Sequence, residues 1–109
     1  IIQPDVTKVG GISEERRIAW MAQEHCVRFI PHGWNTAVGL AADLHLASAF
    51  PGTDLIEYLT GSPFIDEITA GGWHLDADVM LAIPTKPGLG LTLDRDAVKK
   101  YTRVEKLLD

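Results

Sequence analysis

Three short apolar segments, each ending in a residue able to carry chemistry, constrain this chain most. Ile1 to Pro4 runs into Asp5, Val27 to Pro31 runs into His32, and Asp54 to Ile56 runs into Glu57 and Tyr58. The end residues fall 27 and 25 positions apart. A parallel α/β barrel of roughly 250 residues and eight strand–helix units uses about 31 residues per unit. Each interval therefore fits one strand, one helix and two loops. Parallel strands open at a common edge, so residues at equivalent strand ends converge there. The pattern places Asp5, His32 and Glu57 in one candidate site.

The intervening stretches have helical character. Val6 to Gly11 reads as a loop whose Gly10-Gly11 pair permits unusual dihedrals. Ser13 is the expected N-cap of a helix over 13–25, with Glu14 and Glu15 in its first turn. Ile18, Met21, Ala22 and Cys26 recur at helical spacing, and Glu15, Arg16, Gln23 and Glu24 are expected to face water. Thr36 is the expected cap of a second helix over 37–50, apolar nearly all round and therefore buried. Pro51-Gly52 stops it. The order β-α-β-α-β favours right-handed parallel crossovers.

Beyond Leu59 the pattern changes. Gly61-Ser62-Pro63, Gly71-Gly72 and Pro87-Gly88-Leu89-Gly90 punctuate short apolar runs. Asp94 is expected to cap a last helix near 95–101, whose Lys99 and Lys100 suit its C-terminal dipole. The division expected is 1–60 as regular strand–helix units and 61–109 as an irregular tail. Three parallel strands cannot close a barrel, and their small sheet keeps an open face. With no initial methionine and an immediate start on a strand, the chain is expected to be the last part of a larger enzyme.

Charge and composition narrow the partners. A net charge of −5 without a Lys/Arg cluster argues against nucleic acid. The most apolar stretch, Thr36 to Phe50, carries Asp43 and His45 and is too short to span a membrane. The single cysteine, Cys26, permits no intrachain disulfide and reads as a small buried hydrophobe. Cytoplasmic location is the expectation. His45 reads as a satisfied residue of a buried helix, and Trp20 and Trp73 as core or interface.

In order, Gln3-Pro4-Asp5, Lys8-Val9-Gly10-Gly11-Ile12, Pro31-His32, Ile56-Glu57-Tyr58 and Pro87-Gly88-Leu89-Gly90 resemble the C-terminal part of the enolase superfamily. Within it they resemble the mandelate racemase-like branch of the mandelate racemase/muconate lactonizing enzyme family. The resemblance covers about residues 1–102. It implies an α/β fold: about three βα units plus an irregular tail, forming the C-terminal portion of a modified TIM-type (β/α)7β barrel. The three strands would be the sixth, seventh and eighth, and the tail would run back toward an absent capping domain. Members of the related lactonising branch carry a lysine five residues before the Gly-Gly pair. Asp5 stands there, which points to the branch with a His–Asp dyad.

The resemblance implies a role for each end residue. His32 matches the family's general base or acid, Asp5 its partner, and Glu57 a contact to the substrate carboxylate. Trp34 and Asn35, on the loop after His32, are candidate substrate-binding residues. The implied reaction removes the proton next to a carboxylate in a hydroxy-carboxylate, most readily in acid-sugar dehydration. Racemisation or epimerisation is the alternative. An imidazole ordinarily titrates near pH ~6.5 and can exchange that proton at neutral pH. The developing enediolate needs electrostatic stabilisation, which the family draws from Mg2+. Its carboxylate ligands come from earlier strands, so no metal ligand is assigned here and the chain alone is expected to show no turnover. The rest of the barrel, the capping domain and further copies of the chain are the expected partners.

Residues alone leave plainer readings open. Asp5 suits a turn, His32 a hydrogen-bonded loop, and Glu57 an exterior charge. A non-catalytic α/β interaction module or a doubly wound domain fits the same elements. The barrel reading requires neighbouring strands in sequential order.

Overall fold

The structure, a computed structural model, describes residues 1–103. Three extended segments alternate with two helices, α1 (Ile12–Glu24) and α2 (Ala37–Ala49). The segments lie side by side in sequential order. Ile2 and Phe29 form a parallel bridge, supported by Ile2 N–H to Arg28 O at 2.8 Å, Ile30 N–H to Ile2 O at 3.1 Å and His32 N–H to Pro4 O at 2.8 Å. Glu57 N–H reaches Pro31 O at 3.4 Å, joining the third segment to the second. The pairing is thus thinner than three full strands. Pro4 and Pro31 have no N–H to donate, and each interrupts its ladder one residue before the site. At the opposite end, Arg28 and Asp54 form an ion pair at 2.6 Å.

Helix α1 departs from expectation at both ends and on its buried face. Its N-cap is Gly11, not Ser13, and no side chain caps it. Gly10 and Gly11 adopt φ values of 107° and 97°, which let the chain turn directly into the helix. Glu15, Ala19 and Ala22 are buried, whereas Met21 is exposed. Positions 15, 19 and 22 share one face at i, i+4 and i+7, and that face packs on α2. Glu15 therefore does not join the solvated face. Cys26 is exposed, with φ at 54°. Val27 N–H to Ala22 O and Cys26 N–H to Gln23 O close the helix in a Schellman turn, so Cys26 leaves the helix before reaching the core.

Helix α2 follows its sequence closely. The Thr36 side chain accepts from Gly39 N–H, and nine of its thirteen residues are buried. Ala37, Leu40, Ala41 and Leu44 pack with Ile65, Ile68 and Trp73 of the tail. Ala19, Phe29, Leu46 and Phe50 form a second cluster toward α1. Trp20 lies half exposed with its ring edge-on to Phe50, while Trp73 is buried. His45 is partly buried, with Nε2 3.4 Å from Leu89 O.

The tail is irregular, as its glycines and prolines require. It contains the one-turn helix α3 (Pro63–Asp66), the antiparallel bridges Thr69–Leu93 and Leu75–Leu81, and α4 (Arg95–Tyr101). Asp94 caps α4 by accepting from Asp96 and Ala97 N–H. Among the described residues, no helix is long and apolar enough to cross a membrane.

Candidate active site

The shared edge of the extended segments gathers the three end residues. His32 Nδ1 lies 3.0 Å from Asp5 Oδ2, and Nε2 lies 3.9 Å from Glu57 Oε2. Both contacts follow from the parallel register: Arg28 and Asp54 mark one edge, and Asp5, His32 and Glu57 the other.

Asp5 is the buried anchor. Its side chain is 4 % exposed, against 34 % for His32 and 35 % for Glu57. Oδ1 accepts from Thr7 N–H at 2.9 Å and Thr7 Oγ1–H at 2.5 Å. Oδ2 accepts from the Lys8 ammonium and from the imidazole. Burial alone would raise the Asp5 pKa. Donation from Lys8, the Thr7 hydroxyl, His32 and the Thr7 N–H outweighs it and holds the carboxyl well below the usual range. In the tautomer with its proton on Nδ1, the ring donates to this fixed carboxylate and leaves the Nε2 lone pair free.

Glu57 is held from the histidine's own loop. Gly33 N–H donates to its Oε2 at 2.8 Å. Gly33 is also sterically required: a Cβ there would lie 2.0 Å from the Glu57 carbonyl oxygen. Trp34 is exposed, and its carbonyl oxygen lies 3.4 Å from Lys8 Nζ. Asn35 turns inward. Its Nδ2 donates to Asp43 Oδ2 at 3.0 Å and approaches the His32 carbonyl at 3.4 Å.

Several contributors escaped the sequence reading. Thr7 and Lys8 follow Asp5 at spacings that let a short loop wrap the carboxylate, and the Asp-Val-Thr-Lys string carries that signal. Glu15 and Asp43 are buried carboxyls on facing helices. Asp43 is visible as the one acid in an apolar helix; Glu15 is visible only from its alignment with Ala19 and Ala22.

At the edge of a parallel layer, an imidazole thus stands between a buried carboxylate and a second carboxyl, a geometry able to pass a proton. A family model described as enolase C-terminal domain-like matches residues 1–97. The D-galactarolactone cycloisomerase of Agrobacterium fabrum is 35 % identical, over 93 % of this chain and 29 % of its own. The D-xylonate dehydratase of Haloferax volcanii is 34 % identical, over 93 % and 24 %. A crystal structure of an enolase superfamily member from Polaromonas superposes with a TM-score of 0.79 at 32 % identity, over 95 % of this chain and 28 % of that one. The chain belongs to the enolase C-terminal domain-like family, among the mandelate racemase-type members of the enolase superfamily. That superfamily is of the TIM-barrel type, and the chain spans roughly a quarter to three tenths of the relatives it matches.

Proposed function

We propose that this chain is the sixth-to-eighth-strand portion, with the C-terminal tail, of a Mg2+-dependent acid-sugar dehydratase of the cytoplasm. The Asp5–His32 contact at 3.0 Å carries the reading. The names of the 34–38 % identical relatives favour dehydration: besides the D-xylonate dehydratase they include D-galactonate dehydratases.

His32 Nε2 accepts the proton next to the substrate carboxylate. Asp5 balances the imidazolium through Nδ1–H, and the same ring then returns a proton to the departing hydroxyl. Glu57 contacts the substrate carboxylate, a pairing that needs one proton between two acceptor groups. Trp34 lines the mouth. The residues present do not suit a metal: both Asp5 oxygens are occupied, and the described residues hold no cluster of three His, Cys, Asp or Glu able to share an ion. Metal ligands belong, on this reading, to the rest of the barrel. The tail is proposed to continue toward a capping domain, and the complete protein to self-associate.

The test uses the complete protein with Mg2+ and a panel of sugar acids. Dehydration is expected, with His32→Asn lowering kcat by ~10²–10⁴-fold. In D2O, solvent deuterium in recovered, stereochemically inverted substrate would instead mark a racemase. Full activity in His32→Asn would sink the assignment.

A further inference from the structure

Behind the dyad, α1 and α2 bring together two carboxyl groups that the proposed reaction does not use. Glu15 and Asp43 are each 0 % exposed. Both Glu15 oxygens, Asp43 Oδ1 and Asn35 Oδ1 are buried without a hydrogen-bond donor. Carboxylates only accept. If both groups were charged, their facing oxygens would be orphaned and their charges opposed. One proton shared between them removes both defects, supplying a donor and leaving one charge where there were two.

The surroundings agree. Burial raises Glu15 most, followed by the charge of Asp43, its hydrogen-bonding oxygen and the charge of Asp5. Burial also raises Asp43, opposed by the Asn35 amide and by Glu15, then assisted by Asp5 and opposed by the Val6 N–H. Lys8 and His32 direct N–H groups to Asp5. The remaining link is Asn35, whose Nδ2 joins Asp43 Oδ2 to the His32 carbonyl. Gly39 makes room for it, since a Cβ there would lie 2.6 Å from Asn35 Cγ.

We infer that Glu15 and Asp43 hold one proton between them and, through Asn35, form a buried positioning unit that fixes the His32 loop against Asp5. The inference deepens the proposed function and rests on it wherever turnover is the readout.

The experiment uses the complete protein. Infrared difference spectra should show a protonated carboxyl near neutral pH, lost in Glu15→Gln and shifted in frequency in Asp43→Asn, where an amide replaces its carboxylate partner. In Asp43→Asn the new amide donates to Glu15 and accepts from Asn35, preserving the geometry. Asp43→Leu fills the space but releases Asn35. It should lower kcat by ~10–100-fold with a smaller change in KM, as expected of a misplaced base. Asp43→Asn should restore most of that loss. The NMR ring signals of His32, assigned with His32→Asn, should move in Asp43→Leu and stay in Asp43→Asn. Asn35→Ala cuts the same link while keeping both carboxyl side chains, so it replaces Asp43→Leu if that variant does not fold. A missing protonated-carboxyl band, equal kcat losses in both Asp43 variants, or unmoved His32 signals in the link-cutting variant would overturn the inference. A wild type with no turnover would overturn the proposed function, while the infrared and NMR readouts still decide the positioning unit.

Discussion

Asp5 and Glu15 are both buried carboxyls, and their neighbours move them in opposite directions. Asp5 receives donors at both oxygens, which hold its pKa down; burial and a neighbouring acid push that of Glu15 up. The consequences for stability are opposite in sign. The folded pKa of Asp5 lies below its ordinary value of 3.8, so the unfolded chain binds the proton first. Its contribution is present above about pH 4 and fades as pH falls toward the lowered folded value. For Glu15 the folded pKa lies above its ordinary 4.5. Between those values the native state keeps a proton that the unfolded chain releases, so stability declines as pH rises. Urea midpoints of the complete protein across pH should show the alkaline decline flattened in Glu15→Gln and the acid decline flattened in Asp5→Asn. An unchanged alkaline slope in Glu15→Gln would refute the buried acid.

Elements position the site through two close approaches where only glycine fits. Gly39 on α2 admits Asn35, and Gly33 on the His32 loop admits the Glu57 backbone. The neighbours differ in how they can yield. Gly39→Ala meets a side chain, so Asn35 is expected to rotate away, lowering kcat while stability falls by only ~1 kcal/mol. Gly33→Ala meets backbone and should separate the second and third segments, costing ~3 kcal/mol or more. Thermal melts with parallel kinetics on the complete protein distinguish the two. Equal stability losses would contradict the argument. Helices α2 and α4 were legible in sequence, because Thr36, Asp94 and the apolar run of α2 act locally; the one-turn α3 was not. Nor was the face of α1. Met21 and Cys26 have the right chemistry for a core, but packing against α2 selects the stripe through positions 15, 19 and 22, and the Schellman turn removes Cys26.

The described chain is a slab measuring 45 × 44 × 26 Å, with a Cα radius of gyration of 15.1 Å. A compact chain of this length has a radius near ~13 Å. Its extended segments pair through few bridges and leave sheet edges available for neighbours. Purified 1–109 with Mg2+ and sugar acids is therefore expected to show no dehydration, in contrast to the turnover proposed for the complete protein. A metal-dependent rate from the isolated chain would contradict the assignment of the metal ligands elsewhere.

The sequence alone determined which residues end the three extended segments, because strand–helix spacing and parallel register are properties of chain length and local propensity. It also determined the capping of α2 and α4 and the irregular character of the tail. Only the tertiary structure decided that Thr7 and Lys8 saturate Asp5, that Asn35 faces inward, and that Glu15 meets Asp43. Those outcomes depend on distances between elements, which no local pattern encodes. Burial then turns two ordinary carboxyls into groups whose charge depends on what lies across a helix interface.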